Sequence, residues 1–434
     1  MTRRELGRAA AGALLASASW SSQAVEPKSH GAATNWRSQF PVLSQRVNGH
    51  PLVYLDSAAT TQRPQAVIDA LADYYRHDNA NPGAALHTLA RRAYERYESA
   101  RSTVATFINA RHADEVAWVR GTTEGINLIA TAWARSQLHR GDEILLTLAE
   151  HASNMLPWQL VAELTGAHLR YVEVDDAGRV LLDDLDRKLS ERTRIFAFSH
   201  VSNAAGYINP AADIAAHAHR AGARVLIDAA QSAPHVPLDV QALGCDFLVF
   251  SSHKMLGPMG IGVLWARREV MEEMPPYQAG SNMAHEVDLE SRDLEHAARK
   301  FGAGTPNVSG PIGLATAISF LTHLGHESIA QHERQLTAHA LTRLQEVRGL
   351  KILGPTEPDE RIPVFSFTLS GYTPQQILQH LDAQGIAIRA GDLAALPLLK
   401  RLGASAAARA SCYLYTELHE VDRLADALHA MVRS

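Results

Sequence analysis

Short apolar runs alternate with helical patterns through most of the chain. The runs are Val116–Val119, Ile144–Leu148, Ile195–Phe198, Val225–Ile227, Phe247–Phe250 and Ile261–Trp265. Runs of this length without polar alternation are typical of strands buried on both faces, and helices between them indicate βαβ units. The pattern predicts an α/β fold with a mostly parallel central sheet and helices on both faces.

A polar cluster follows each of five of these runs. The clusters occupy residues 120–124, 150–151, 199–203, 228–231 and 251–254. Open parallel sheets bind ligands at the carboxyl ends of their strands. We therefore expect the five clusters to converge on one site.

From about Gly310 the pattern changes to long amphipathic helices and then short strands. Helices are predicted at Ile312–Leu324, Ile329–Val347 and from Glu420, and strands at Val364–Thr368 and Ala410–Leu414. This change predicts a smaller C-terminal α+β domain at 310–434, after an N-terminal segment and large domain at 31–309.

The first 30 residues have the pattern of an export signal. Arg3 and Arg4 precede a run of small apolar residues from Ala9 to Ala18. This arrangement predicts a twin-arginine signal followed by a linker, and a periplasmic protein. An amphipathic N-terminal helix or a misassigned start codon is the alternative, and would leave the protein cytoplasmic.

Composition excludes several function classes. The 434 residues carry a formal net charge of −5 without a polybasic stretch, which argues against a nucleic-acid partner. No run of about 18 apolar residues is present, so stable membrane insertion is not expected. Cys245 and Cys412 are too few for a disulfide framework and lack the spacing of a zinc site, and no metal is predicted.

Lys254 and Asp228 are the strongest chemical candidates. Lys254 lies in a turn after one apolar run, and Asp228 ends the previous run. A desolvated lysine amine can form a Schiff base with a carbonyl cofactor, although most lysines are solvated surface groups. A carboxylate after three apolar residues is costly to bury unless a cation meets it, and a pyridinium nitrogen is such a cation. Together the two residues indicate a carbonyl cofactor with a pyridinium nitrogen.

Five further residues fit the same ligand. Thr122 and Thr123 stand at a strand-to-helix turn, where amides and hydroxyls bind phosphate, although without Lys254 nearby a helix cap alone would be the preferred explanation. His151 could lie over a flat heteroaromatic ring. Asn203 and Gln231 could bond to a phenolic oxygen, although each alone is more often a turn residue.

Seven segments resemble the class V aminotransferase family of pyridoxal-phosphate enzymes, in particular its SufS-like cysteine desulfurase branch. The segments are 55–61, 120–128, 200–203, 228–231, 251–254, 303–307 and 408–411. The resemblance extends from about residue 35 to the C-terminus. It implies the fold type I architecture, a homodimer with active sites at the subunit interface, and pyridoxal 5'-phosphate bound as a Schiff base to Lys254.

The resemblance also implies roles for individual residues at the cofactor. Asp228 pairs with the pyridine nitrogen and His151 stacks on the ring. Gln231 and Asn203 hold the ring oxygen or the substrate. The implied phosphate-binding residues are Thr122, Thr123, Ser251 and His253, with Thr305 from the other subunit.

The substrate side combines retained and lost residues. Arg409 and Arg389 are the implied substrate-binding residues, Arg409 by clamping the α-carboxylate. The desulfurase pattern has a reactive cysteine in the loop that matches residues 389–397, and Ala394 stands there. A basic pair of the pattern is replaced by Gly83 and Ala84. Alanine cannot carry a persulfide, and Cys245 and Cys412 are expected to be core residues.

Retained cofactor positions and lost substrate positions favour an exported aminotransferase that acts on an amino acid or an amino-acid side chain. In this combination the chain is similar to the periplasmic enzymes that modify a glutamate residue of the peptide siderophore pyoverdine. Cysteine desulfurase or selenocysteine lyase is one alternative. A catalytically idle pyridoxal-phosphate-binding partner protein is another, and the amino donor and acceptor stay open.

Overall fold

The computed structural model describes residues 36–83 and 87–433. Residues 36–434 group into one compact unit. The predicted export signal and Ala84 lie outside the described residues. Within the described part of the chain, no helix combines the length and the apolar character needed to cross a bilayer.

Seventeen strands are present in the described residues. They are β1 (Arg46–Val47), β2 (His50–Pro51), β3 (Val53–Tyr54), β4 (Val116–Val119), β5 (Glu143–Thr147), β6 (His168–Val172), β7 (Thr193–Ser199), β8 (Arg224–Asp228), β9 (Phe247–Ser251), β10 (Gly262–Ala266), β11 (Ala284–Val287), β12 (Arg292–Leu294), β13 (Leu350–Leu353), β14 (Val364–Leu369), β15 (Ile386–Ala387), β16 (Arg389–Gly391) and β17 (Ala407–Ser411).

Fourteen α-helices lie between and after them in the same residues. They are α1 (Gln65–His77), α2 (Thr88–Phe107), α3 (Thr122–Leu128), α4 (Arg135–Gln137), α5 (Leu156–Thr165), α6 (Leu182–Lys188), α7 (Ala211–Arg220), α8 (Val240–Leu243), α9 (Arg268–Glu273), α10 (Ser309–Leu324), α11 (His326–Gln345), α12 (Pro374–Asp382), α13 (Leu396–Arg401) and α14 (Leu418–Arg433).

The central sheet has seven strands in the order β4-β10-β9-β8-β7-β5-β6. Strands β5 to β9 pair in parallel. β10 is antiparallel to both of its neighbours, β9 and β4. β4 therefore runs in the same direction as β9, and its polar cluster reaches the same edge of the sheet as the others. The predicted α/β fold with a mostly parallel sheet is confirmed.

Both faces of this sheet are covered by helices. Successive residues of β5 alternate between two hydrophobic clusters, with Leu145 in one and Ile144 and Leu146 in the other. Helices α7 and α10 contribute to the first cluster and α3, α5 and α9 to the second. This alternation explains why the strands read as continuous apolar runs, since a strand covered on both faces has no solvent-facing side.

A close backbone approach explains one glycine beside the site. A Cβ on Gly262 would lie 2.6 Å from the Cα of Gly121 and 2.7 Å from the carbonyl oxygen of Phe250. Only glycine lets the start of β10 pass this close to the turn after β4. That turn carries Thr122 and Thr123.

The C-terminal part contains a four-stranded antiparallel sheet in the order β13-β14-β17-β16. Its predicted helices and strands are present, although the strand predicted at Ala410–Leu414 lies three residues earlier, at Ala407–Ser411. Two segments cross the predicted boundary after residue 309. β3 pairs in parallel with β15, and α10 packs against α1 and α2. The boundary itself stays a prediction.

Candidate active site

The polar clusters after β4, β5, β7, β8 and β9 meet in one cavity of about 490 Å³. Eleven of the twelve predicted site residues line it, from both the large sheet and the C-terminal strands. Thr305 is the exception. Its hydroxyl accepts a hydrogen bond from Asn81 (Nδ2–Oγ1 3.2 Å), and its arrival from a partner subunit stays a prediction.

Lys254 ends a single 3₁₀ turn directly after β9. The turn is tied to the N-terminal segment, because the carbonyl of His253 accepts bonds from Thr61 N and from Thr60 Oγ1, both at 3.0 Å. Burial and the charge of Arg409 lower the pKa of Lys254 to about 8, and Asp228 opposes them. A substantial share of the amine is therefore neutral near physiological pH, as nucleophilic attack requires.

Asp228 occupies the last position of β8 and is only 5% exposed. Its Oδ1 accepts a hydrogen bond from Ala230 N at 2.9 Å. Burial raises the pKa of Asp228, and the charge of Lys254 opposes the rise. A buried carboxyl group in a cavity wall is stabilised by a cationic donor, so the position fits a protonated ring nitrogen.

Gln231 is also placed to bond to a polar ring in the cavity. Its Nε2 donates to the carbonyl of Ala58 at 2.8 Å. Its buried Oε1 has no partner in the described part of the protein. A buried oxygen that lines a cavity without a partner indicates that a ligand group completes its bonding.

Three of the five predicted phosphate residues, Thr122, Thr123 and Ser251, gather where α3 begins. Ser251 Oγ accepts from Thr122 N at 2.8 Å and lies 2.8 Å from Thr122 Oγ1. Thr123 Oγ1 lies 2.8 Å from Ser153 Oγ. Hydroxyl groups and the first amides of a helix suit a phosphate. Together with Asp228, Gln231 and Lys254, this end of the cavity fits pyridoxal phosphate.

His151 precedes a 3₁₀ turn and lines the cavity. Its Nδ1 accepts a hydrogen bond from Ser153 N at 3.0 Å, which assigns the ring proton to Nε2. Burial and the charges of Lys254 and Arg409 lower the pKa of His151 to about 4. The ring is therefore neutral at physiological pH, as a stacking partner for an aromatic ligand can be.

Glu150, which the sequence analysis left without a role, anchors the turn that carries His151. Its fully buried carboxylate accepts from the hydroxyl of Thr147, from Asn154 Nδ2 (2.7 Å), and from Ser199 N (3.1 Å) and Oγ (2.8 Å). Burial raises its pKa to about 7. These bonds join the ends of β5 and β7 on either side of His151.

Asn203 lines the cavity with one N–H of its side-chain amide already committed. The side-chain Nδ2 of Asn203 donates to the backbone carbonyl of Leu393 at 2.8 Å. The backbone carbonyl of Asn203 accepts from Arg409 Nη1 at 3.0 Å. The structure thus links Asn203 to the loop after β16, whereas the sequence analysis assigned its amide to the ligand. The role in ligand binding stays a prediction.

The loop after β16 forms one wall of the cavity. Leu393 and Ala394 both line it and both have left-handed backbone angles, with φ of 55° and 52°. The carbonyl of Ala394 accepts from Ala152 N at 2.7 Å, and Asp392 Oδ1 accepts from Ala394 N at 3.0 Å. Two successive non-glycine residues in this region are strained, so these bonds and the burial of Leu393 hold the loop in place.

Neither cysteine lines the cavity. Cys245 precedes β9 and therefore lies at the opposite edge of the sheet from Lys254, and Cys412 packs in the core of the C-terminal part. Burial raises the pKa of both thiols. Within residues 36–83 and 87–433, no group of three or more His, Cys, Asp or Glu side chains could hold a metal ion.

Arg409 and Arg389 line the cavity beside Ala394. Burial lowers the pKa of Arg409 to about 10, so the group is cationic at physiological pH. Asp56 contacts both guanidinium groups, Arg389 at 2.8 Å and Arg409 at 3.4 Å. Sequence reasoning left Asp56 without a role, although a carboxylate directly after the apolar run Val53-Tyr54-Leu55 was a usable sign of burial.

Comparison with known proteins supports these findings. The family described as "Aminotransferase class-V" matches residues 53–424. A cysteine desulfurase of Synechococcus elongatus is 46% identical over 90% of this chain, and the chain spans only 62% of that relative's length. A probable cysteine desulfurase of Halalkalibacterium halodurans is 47% identical, with 90% of this chain and 95% of the relative covered.

Solved structures agree with the sequence relatives. The cysteine desulfurase CsdA of Escherichia coli superposes with a TM-score of 0.84 and 36% identity, covering 92% of this chain and 97% of the other. The expected fold type I architecture is confirmed. The names of these proteins match the alternative of cysteine desulfurase better than the predicted aminotransferase.

Proposed function

The chain belongs to the class V aminotransferase family of pyridoxal-phosphate-dependent enzymes, and from this premise we propose that it transfers the amino group of an α-amino acid. One observation carries the proposal. The cavity combines residues fit for the cofactor with Ala394 at the loop position where the desulfurase pattern has cysteine. Amino-group transfer needs no sulfur nucleophile, whereas sulfur transfer through the protein does.

Pyridoxal phosphate, when bound, supplies an aldehyde that condenses with amines and a ring that accepts electron density from the substrate Cα. Lys254 would hold it at the aldehyde and Asp228 at the ring nitrogen, and His151 would cover one face. The phosphate would be held by Thr122, Thr123, Ser251 and His253. These assignments rest on the positions of the residues around one cavity.

Lys254 also suits the proton transfer that the reaction requires. An amine with a pKa of about 8 can take a proton from the substrate Cα and return it to another atom near neutral pH. Arg409 would hold the substrate carboxylate, because its Nε has no partner among the described residues and a guanidinium binds carboxylates with two parallel bonds. A carboxylate fixed there limits the positions that Cα can take relative to Lys254.

Cysteine desulfurase or selenocysteine lyase is the second candidate, because the relatives bear the first of these names at 46–47% identity. In desulfuration the C–S bond of cysteine breaks and the sulfur passes to a thiolate. Ala394 is not a thiolate, and Cys245 and Cys412 lie away from the cavity. Sulfur would then have to pass to a thiol from outside the chain.

Product analysis separates these candidates from a catalytically idle partner protein. The purified, cofactor-loaded protein is incubated with cysteine, selenocysteine and a panel of amino donors, with 2-oxobutyrate as the acceptor, because its amination product has an uncharged side chain and differs from alanine. The proposal expects a keto acid from the donor and a new amino acid from the acceptor. Release of sulfide or selenide together with alanine would establish the second candidate. If no product forms from any of these compounds, the protein is the catalytically idle partner. Lys254→Ala serves as the matched inactive control.

We also propose export through the twin-arginine route and a homodimer that supplies Thr305 across the interface. The paired arginines Arg3 and Arg4 before an apolar run support export. Thr305 does not line the cavity of its own chain, which supports a contribution in trans. A glutamate residue of a peptide siderophore is the proposed substrate in the periplasm, alongside free amino acids.

A further inference from the structure

Two arginines face each other directly across a strand pair beside the cavity. Arg389 of β16 is the register partner of Arg409 of β17. Like charges opposite each other in an antiparallel pair destabilise the sheet. The side chain of Arg409 is 4% exposed and that of Arg389 is 49% exposed. The pair therefore needs a neutralising group, and Arg409 needs it most because water screens it least.

Asp56 is that group. Its Oδ2 lies 2.8 Å from Arg389 Nη2, and its Oδ1 lies 3.4 Å from both Arg389 Nε and Arg409 Nη2. The backbone on either side is fixed to β17, because Ser411 N donates to Leu55 O at 2.8 Å and Ser57 N donates to Ser411 O at 3.2 Å. These bonds hold the backbone of Asp56 beside β17, so its carboxylate is within reach of both arginines.

This arrangement balances the charges at the substrate end of the cavity. Arg389 and Arg409 supply two positive charges, and Asp56 with Asp392 supplies two negative ones. One substrate carboxylate can use the remaining donors of Arg409. A second carboxylate on the same substrate would meet Arg389 already neutralised and would be repelled by Asp56 and Asp392.

The apolar part of the cavity wall also disfavours a substrate with a charged side chain. Ala390, Leu393 and Ala394 line the same cavity as the two arginines, and Ala390 follows Arg389 directly in β16. Their methyl and isobutyl groups offer no hydrogen bond to a charged side chain, and a carboxylate that moves against them loses water without a replacement partner. Charge balance and wall chemistry therefore exclude the same class of substrate.

We propose that Asp56 is a specificity-determining residue. By neutralising Arg389 it restricts the site to α-amino acids with an uncharged side chain, and this inference rests on the proposed action on an α-amino acid. A glutamate joined to a peptide through its γ-carboxyl group keeps only its α-carboxylate and belongs to the accepted class. Free aspartate and glutamate do not.

The test compares amino acids that differ only in that charge. L-Asparagine with L-aspartate and L-glutamine with L-glutamate are mixed with the cofactor-loaded protein, and dissociation constants are read from the rapid first change in the visible absorbance of the cofactor, before the amino group is transferred. The parent is expected to bind the amide of each pair at least about tenfold more tightly than the acid. In Asp56→Asn the ratio is expected to shift about tenfold toward the acid, because Arg389 becomes available to the second carboxylate.

Two further variants assign the effect. The double variant Asp56→Asn, Arg389→Met should not bind the acids more tightly than the parent does, because the tighter binding depends on the Arg389 guanidinium. Asp176→Asn, which removes an Arg401–Asp176 ion pair at an exposed aspartate, should leave both ratios at the parental value. Thermal unfolding of each variant shows whether the fold is kept.

A parent that binds amides and acids equally, or an Asp56→Asn variant that weakens both members of each pair alike, would overturn the inference while leaving the proposed function standing. Absence of any response to all four amino acids would contradict the proposed function and the inference together.

Discussion

The pKa of Lys254 sets how the cofactor-free protein captures pyridoxal phosphate. At pH 7 an amine with a pKa of about 8 is about 9% neutral, compared with about 0.03% at the ordinary value of 10.5, so burial and Arg409 make the reactive form about 300-fold more abundant. The capture rate should therefore rise with pH and level off above about 8. Asp228→Asn removes a charge that raises this pKa, so its profile should move to lower pH. Arg409→Met removes a charge that lowers the pKa, so its profile should move to higher pH.

Stopped-flow absorbance after mixing pyridoxal phosphate with cofactor-free protein measures these rates. The reaction of the cofactor with a small primary amine over the same pH range supplies the correction for titration of the cofactor itself. The midpoint, and not the absolute rate, is the readout, because a variant that binds the cofactor weakly still reports the pKa of its lysine. A parental midpoint near 10.5, or midpoints that coincide in the parent and both variants, would refute the electrostatic account of the site.

Three further predictions concern the cofactor bond, the packing beside it and export. Lys254→Ala should lose the visible absorbance and the lysine adduct that borohydride fixes, and a peptide map that still finds such an adduct would reassign the lysine. Gly262→Ala should lower the free energy of unfolding by about 1–3 kcal/mol, because its Cβ would lie 2.6 Å from the Cα of Gly121, whereas Gly280→Ala, with neighbours at 3.6 Å, should be close to neutral in urea denaturation. Residues 1–35 fused to a folded reporter should carry it to the periplasm and should fail to do so when Arg3 and Arg4 are both lysine; unchanged export would contradict the twin-arginine assignment.

The large sheet was predictable because local sequence determines most of it. Each of the six predicted strands starts and ends within two residues of its observed limits. β6, at His168–Val172, escaped prediction because it is an edge strand whose first four residues are partly or fully exposed, which breaks the apolar run. The antiparallel direction of β10 could not be predicted either, because the apolar pattern of a buried strand is the same whichever way the strand runs.

The substrate end was less predictable because it depends on contacts between distant parts of the chain. Asp56 lies more than 330 residues from both arginines that it neutralises. The hydrogen bond from the Asn203 side-chain amide to the Leu393 carbonyl likewise joins segments 190 residues apart. The cofactor end was easier, since each of its residues follows a predicted strand and parallel strands bring their carboxyl ends together.

Whether the chain transfers amino groups or sulfur is tested most directly by comparing the parent with Ala394→Cys after exposure to L-cysteine, with 2-oxobutyrate present to accept the amino group. Sulfide, alanine and keto acids are quantified, and mass spectrometry searches the peptides of Cys245, Cys412 and position 394 for a persulfide. The account predicts keto acid without sulfide or persulfide in the parent. It also predicts that the new thiol alone does not give efficient desulfuration, because a nucleophile must be positioned and ionised. A catalytic persulfide on Cys245 or Cys412, with sulfide released on reduction, would contradict the account and establish a cysteine desulfurase.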